Sequence, residues 1–414
     1  MCIRPLLLLL AASSAAAAEP PLQLHQLVEE ALLHNPEILA AQKRLEAARQ
    51  HPAEQSALPD PTVSFGWNSS GNPLPGAGLG SQPVANIGIM ASQELPWPGK
   101  LRLRADIARE EAGAEAEQYR AVELSVISRL KQAYHRLHHA YLMRDLLERN
   151  RDLLRNLLSI TEARYSVGKA PQQDVFKAQT QLSVMETRVI QLERERHARE
   201  AEINALLDRR QDSPLGRPPD EPAEPLAFTL EELQAKAGEA APELRRDQKM
   251  LERAETALNL AHKDYYPDVT INAGYYNMGA MPPMYMFRAD VRIPIYYRHK
   301  QRAAETEQSA GVVEARRTYE AGSQALLYRI KDDYLTAETA AKLMEIYDKT
   351  ILPQARFAVD SSLASYENGT TDFLNVLNNY MAVFDAEMSY HEQMQEFHLA
   401  LARLEELTGV ELMH

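Results

Sequence analysis

The sequence predicts a mainly α-helical protein with a small β part, built from two copies of one order of elements. Most of the chain carries apolar patterns of helical period, whereas four short segments alternate apolar and polar side chains. The chain also resembles itself: NPEILAAQKRLEAA, from Asn35, is similar to APELRRDQKMLERA, from Ala241, and Pro36 corresponds to Pro242. Two copies of such a long unit indicate a duplicated domain.

Residues 1–18 predict a secretory signal peptide. Arg4 precedes an apolar run that begins at Leu6, and small residues form a cleavage site before Glu19. The one cysteine, Cys2, lies inside this segment, so we expect a mature chain without a thiol, a disulfide or a thiolate metal site. No later apolar run is long enough for a transmembrane helix. The formal net charge of −13 argues against a nucleic-acid partner.

Two repeats are predicted, at 19–209 and 227–410, with a proline-rich crossover at 210–226 and a tail at 411–414. Each repeat contains a helix, two strands, a long helix, a tight turn and a last helix. The helices are predicted over roughly 22–57, 100–166 and 171–209, and over roughly 228–264, 298–366 and 371–409. The long helices would extend about 100 Å, which favours a coiled-coil rod or tube over a compact globule.

The last helix carries two neighbouring apolar stripes, one with Phe373 and Val376 and one with Leu374 and Leu377. One stripe packs against one partner, whereas two stripes suit a helix with neighbours on both sides, as in the wall of a cylinder. A thick apolar face in an ordinary helical bundle is the alternative.

The strands are predicted at about 61–69, 84–95, 267–277 and 285–295. Segments of about ten residues that are apolar on one face and polar on the other are typical of transmembrane β-barrels. Arg288, Asp290 and Arg292 would be costly against lipid but suit a water-filled barrel lumen. A soluble four-stranded sheet with one wet face is the alternative.

Four strands are too few to close a barrel, which takes about eight or more. An open edge in lipid leaves unpaired backbone groups that cost several kcal/mol each. A membrane-crossing chain of this kind must therefore oligomerise, and three copies would give about twelve strands. Pro96, Pro98 and Pro294 lie where strands give way to helices, and Trp97 there suits a membrane–water interface.

Three groups of motifs are distributed along the two repeats: the NPE and APE segments near their starts, the junction SQELPWPGKLRLRADIA from Ser92, and the turns ARYSVG and ASYENG. Together they resemble the TolC-like family of outer-membrane efflux proteins over nearly the whole mature chain. The resemblance implies a homotrimer whose duplicated long-helix hairpins form an α-helical barrel across the periplasm. Four strands per protomer would contribute to a 12-stranded β-barrel in outer-membrane lipid. It also implies a passive duct, not an enzyme and without a cofactor, that docks onto a periplasmic adaptor (membrane fusion) protein and an inner-membrane efflux pump.

The resemblance further implies two sites at the periplasmic end. The turns that contact the adaptor would include Tyr165, Gly168, Tyr366 and Gly369. The aperture would be lined by Glu367, Asp372, Asn375 and Asn378. Because asparagine replaces the aspartate of many relatives at the last two positions, we expect a weaker ring for cations. Ordinary turn residues and polar helix surface are the alternatives.

Two clusters could bind metal. Three histidines in HRLHHAYLM have helical spacing, and four methionines in NMGAMPPMYM carry thioethers that suit Cu(I); they are His135, His138 and His139, and Met278, Met281, Met284 and Met286. Helical histidines and loop methionines are more often packing residues, so we assign no metal site to either cluster. The PWPGK junction resembles the heavy-metal branch of the family, which favours metal ions as cargo without naming one.

No G-x-S-x-G, H-E-x-x-H or P-loop motif occurs in the chain, so we do not expect an enzyme. The second function that the patterns allow is a periplasmic coiled-coil scaffold or adaptor whose sheet never enters lipid.

Overall fold

The computed structural model of the protein describes residues 21–220 and 226–412, so the predicted signal peptide lies outside the described residues. Most of the described chain is helical, and four strands form one antiparallel sheet in the order β1-β2-β3-β4. The prediction of a mainly helical protein with a small β part is confirmed.

The same order of elements occurs in both halves. Before residue 220 the elements are α1 (Leu24–His34), α2 (Pro36–Ala48), α3 (His51–Ser56), β1 (Thr62–Asn68), β2 (Asn86–Leu95), α4 (Lys100–Ser166) and α5 (Gln172–Leu206). After residue 226 they are α6 (Leu230–Ala240), α7 (Pro242–Lys263), β3 (Asp268–Asn277), β4 (Met284–Arg292), α8 (Gln301–Ile346), a π-helical turn (Tyr347–Ile351), α9 (Leu352–Glu367) and α10 (Phe373–Thr408).

The first helix of each half is interrupted, which differs from the continuous helices expected there. Asn35 takes an extended backbone, with φ −62° and ψ 124°, because a following proline disfavours the helical conformation. Its side chain then accepts hydrogen bonds from the N–H groups of Glu37 and Ile38, which caps α2. Ala241, before Pro242, has nearly the same backbone, with φ −59° and ψ 119°. The proline pair that revealed the duplication therefore also divides the two helices.

The two long helices differ from each other. α4 runs through 67 residues without a break, as expected. The helix expected over 298–366 is instead divided by the π-helical turn, which comes just before Pro353 in the first turn of α9. Proline lacks an N–H and its ring displaces the carbonyl one turn back, and a π-helical turn accommodates such a disruption.

Buried apolar side chains form three clusters along the helices. One joins α6, α8 and α10 around Ile330, and a second joins α1, α4 and the end of α5 around Leu130. The third joins α4, α5, α9 and α10 around Phe384. Helix α10 contributes Phe397 to the first cluster and Phe384 to the third, so it packs against partners from both halves.

Candidate functional site

The sheet presents an apolar face that is open to the surroundings. Two adjacent rows of cross-strand partners form it: Val63, Ala91, Ala273 and Phe287 in one row, and Phe65, Ile89, Tyr275 and Tyr285 in the next. Phe65 is 70% exposed and Phe287 is 77% exposed. A contiguous exposed apolar surface of this kind marks a contact with lipid or with another apolar partner.

The opposite face of the sheet carries the charges. Asn272, at the centre of β3, donates from Nδ2 to Asp290 Oδ2 at 2.8 Å. Arg288 Nη2 also donates to Asp290 Oδ2, at 3.0 Å, and Arg292 Nη1 donates to Glu94 Oε1 at 3.2 Å. The three residues predicted for the lumen thus lie together on the polar face, and the sheet can separate an apolar phase from water.

The two edges of the sheet are β1 and β4. In the described part of the chain, each of these strands pairs with one neighbour only. An unpaired strand edge is a template for another strand, and in lipid it cannot be left unpaired. The sheet therefore needs strands from outside the chain if its apolar face enters a membrane.

A buried lysine joins the sheet to the helices. Lys100, the first residue of α4, is 3% exposed, and its Nζ lies 3.0 Å from Asp268 Oδ1 and 3.1 Å from Asp264 Oδ1. The Trp97 N–H donates to Asp268 Oδ1 at 2.8 Å, and the Trp97 ring stacks on Tyr266 with centroids 5.2 Å apart. This junction cluster connects the start of α4 to the α7–β3 connection of the other half.

The two helical turns lie side by side at the far end of α4. Gly168 and Gly369 have φ values of 71° and 76°, which is the left-handed conformation that favours glycine. The N–H of Lys169 donates to Arg164 O at 2.8 Å, and the N–H of Thr370 donates to Ser365 O at 2.9 Å. Both turns are thus the same helix-ending motif, which gives the two glycines a structural role.

Arg164 connects one turn to the other. Its Nη1 donates to the carbonyl oxygens of Tyr366 and Glu367 at 2.7 and 3.2 Å, and its guanidinium lies 4.5 Å from the centre of the Tyr366 ring. Those carbonyls end α9, where the helix dipole attracts a cation. Arg164 is not among the residues predicted from the sequence, although a basic residue in the last turn of a helix is a recognisable signal.

The residues predicted for adaptor contact differ in exposure. Tyr366 is 2% exposed and packs edge-on against Phe373 with ring centroids 6.2 Å apart, so its side chain is a packing residue. Tyr165 is 45% exposed, and its side chain is available to a partner.

The residues predicted for the aperture lie on the surface around the second turn. Glu367, Asn375 and Asn378 are exposed. Asp372 is also exposed, and its Oδ1 accepts a hydrogen bond from the Asn375 N–H at 3.0 Å, which caps α10. The carboxylate of Asp372 therefore already has a structural role.

The histidines and the methionines singled out in the sequence lie in different parts of the structure, on the helices and at the sheet. The histidines of α4 lie against α10, where the rings of His135 and His398 stack with centroids 4.3 Å apart. Among residues 21–220 and 226–412, no group of three or more His, Cys, Asp or Glu side chains is arranged to hold a metal ion. Met284 and Met286 lie on the polar face of β4, and Met278 and Met281 lie in the loop before it.

A protein-family model matches most of the chain. The model of the outer membrane efflux protein family matches residues 27–209 and again residues 233–410. The chain belongs to the outer membrane efflux protein family. The prediction of a TolC-like protein is thereby confirmed.

Several named proteins of this kind are similar to the chain. The probable efflux pump outer membrane protein TtgC of Pseudomonas putida is 22% identical over 291 residues, which cover 66% of this chain and 59% of TtgC. The chain thus spans less than two thirds of that relative. The probable outer membrane lipoprotein SilC of Salmonella typhimurium is 22% identical over 423 residues, which cover 92% of this chain and 85% of SilC.

Solved structures of outer-membrane channels share the fold. The outer membrane protein VceC of Vibrio cholerae has a TM-score of 0.81 at 17% identity, over 94% of this chain and 97% of VceC. The MtrE outer membrane channel of Neisseria gonorrhoeae has a TM-score of 0.74 at 18% identity, over 94% of this chain and 89% of MtrE. In this efflux-family chain, none of the described helices is both long and apolar enough to cross a membrane.

Proposed function

We propose that the protein is the outer-membrane channel of a tripartite efflux system. It is a passive duct that takes substrates from a periplasmic adaptor and an inner-membrane pump, and carries them across the periplasm and the outer membrane. One observation carries this proposal: the sheet has an exposed apolar face, a charged opposite face and two open edges. Such a sheet is a segment of a lipid-embedded barrel with a wet lumen.

The assembly that fits is a homotrimer. Three copies would supply about twelve strands, enough for closure, with β1 of one copy beside β4 of the next. In the same assembly the repeats 19–209 and 227–410 place their long hairpins in the wall of a helical tube. The residues on the polar face, Arg288, Asp290 and Arg292, then line the barrel lumen.

The periplasmic end of the tube is the gate and the docking site. Arg164 holds the two turns together and so favours a narrow end. The aperture is lined by the exposed surface around the second turn, which includes Glu367, Asp372, Asn375 and Asn378. The adaptor contacts the turns at Tyr165, Gly168 and Gly369, whereas buried Tyr366 shapes the turn from inside.

The cargo is set by the pump and not by the duct. The relatives of this chain bear names with different cargoes, including an antibiotic efflux protein and a toluene efflux protein of Pseudomonas putida. Metal ions as cargo, expected from the PWPGK junction, stay a prediction.

Membrane fractionation and planar-bilayer recording test the proposal together. We expect the protein in the outer-membrane fraction, as trimer-sized particles in detergent that conduct ions. A soluble, non-conducting protein in the periplasmic fraction would instead indicate the scaffold function.

A further inference from the structure

Five histidines gather where α4 of the first half packs against α10 of the second half; they are His135, His138, His139, His391 and His398. His135 and His398 are 6% and 9% exposed. Their rings lie parallel within 3°, with centroids 4.3 Å apart. We call this group the histidine cluster. It lies on the seam between the two halves, within the long helices and away from both the sheet and the turns.

The ring nitrogens of the cluster are poorly satisfied. Neither nitrogen of His135 has a hydrogen-bond partner, and Nδ1 of His398, Nδ1 of His391 and Nε2 of His139 have none either. Buried polar side-chain atoms usually do have a partner. A neutral imidazole always carries one N–H donor and one acceptor, so the cluster contributes little hydrogen bonding to the seam that it occupies.

The geometry disfavours a metal ion at the central pair. The lone pair of an imidazole nitrogen lies in the plane of its ring. Two rings stacked in parallel planes therefore direct their nitrogens side by side, and not toward one shared ion. This agrees with the lack of a three-ligand group among the described residues.

Charged groups from three segments face the cluster. They are Lys131 and Arg149 on α4, Glu387 and Glu405 on α10, and Asp220 in the segment after α5. Each carboxylate already has a partner: Glu405 binds Lys131 at 2.6 Å, Asp220 lies 3.1 Å from His138, and Glu387 binds Arg356 at 2.7 Å. Among the ion pairs of the described residues, none includes His135 or His398.

Protonation of the central pair is therefore unfavourable while the seam is closed. Burial, with a smaller contribution from the nearby His138, lowers the pKa of His398 to about 4. Burial, followed by His398, His138 and Lys131, holds the pKa of His135 well below its ordinary range. Exposure to water would remove the main cause in both cases.

We propose that the histidine cluster is an acid-sensitive lock on the seam between the two halves. Neutral rings allow α4 and α10 to pack, whereas protons bind when the seam opens and then keep it open, because two charged rings in stacking contact repel each other. The lock adds a response to pH to the duct and does not depend on which cargo the duct carries.

Hydrogen–deuterium exchange of the full-length protein in detergent tests the lock. Peptides from α4 around residue 135 and from α10 around residue 398 are followed at pH 7.5 and pH 5.5, after correction for intrinsic exchange rates. In the wild type, protection should fall at pH 5.5 by about tenfold for each histidine that is neutral when packed and free to bind a proton when open. Peptides of α5 should change much less.

The double variant His135→Phe/His398→Phe keeps two stacked rings and removes the titration of the central pair. In the same peptides its protection should fall by about a hundredfold less than that of the wild type, because His139 and His391, whose pKa values burial also lowers, still bind protons on opening. His398→Phe alone, the milder change, should reduce the fall by about tenfold. The control His197→Gln alters a histidine that is 65% exposed on α5 and should behave as the wild type. Equal protection of the wild type at both pH values would overturn the lock, as would an undiminished acid effect in the phenylalanine variants.

Discussion

Replacing Arg164 with alanine should loosen the periplasmic end of the duct. The substitution removes two hydrogen bonds from a charged donor and one cation–ring contact between the turns. A hydrogen bond to a charged group contributes about 1.5–3 kcal/mol, and an exposed cation–ring contact about 0.5–1 kcal/mol. Because the site is only partly buried, we count the 2.7 Å bond alone, at about 2 kcal/mol, which corresponds to a roughly 30-fold shift between joined and separated turns.

Single-channel recording in planar bilayers measures this shift. We expect Arg164→Ala to raise the open probability or the conductance, and Arg164→Lys to lie between it and the wild type, because lysine keeps the charge but not the planar fork. Arg155→Ala is the matched control: Arg155 lies on the same helix, and within the described residues its one ion pair is with Asp152 of that helix, at 3.2 Å. Currents of Arg164→Ala that match those of Arg155→Ala and the wild type would refute the role of Arg164 in holding the turns together.

Three further predictions concern the junction, the aperture and the histidine cluster. Lys100→Met should lower the free energy of unfolding in chemical denaturation by about 3 kcal/mol, since it removes the buried ammonium that pairs with the Asp268 carboxylate. Lys300→Met, at the exposed equivalent junction of the second half, should change this free energy by less than about 0.5 kcal/mol. Equal effects of the two substitutions would contradict a stabilising role of the Lys100 ion pair. Asn378→Asp should strengthen block of the channel current by divalent cations, and unchanged block would remove this residue from the aperture. The pKa of His398 is about 4 in the folded protein and about 6.5 for an ordinary histidine, so the free energy of unfolding should fall as the pH drops from about 6.5 toward about 4. For this group the loss should be about 1.4 kcal/mol at pH 5.5. His398→Phe should lose this part of the pH dependence, and a wild type whose stability is constant over this range would contradict the lowered pKa.

The elements with strong local signals could be read from the sequence. β3 alternates over its whole length, and α4 begins just after Pro98-Gly99 and ends just before Gly168, because these residues punctuate helices. The breaks before Pro36 and Pro242 and the π-helical turn before Pro353 had a signal too, since proline disfavours a helical residue before it. The apolar periodicity around these positions outweighed that signal in the prediction.

The contacts that define the candidate sites could not be read in this way. Arg164 lies 202 residues from its acceptor at Tyr366, and Lys100 lies 168 residues from Asp268. His135 and His398 have no local pattern that pairs them, since they lie on different helices, α4 and α10. Such pairs follow only from how the two halves of the chain pack against each other.

Disulfide cross-linking between strand edges tests most directly whether several copies share one barrel. Ser64→Cys on β1 is combined in turn with a cysteine at alternate positions of β4, in a chain whose only native cysteine is Cys2. Within one chain, β1 and β4 are three strand spacings apart, about 14 Å, which is beyond the roughly 7 Å limit for a disulfide. We expect linked species of two and three chains, and none larger, in outer membranes. A protein that stays a water-soluble monomer without cross-links at any position would contradict it.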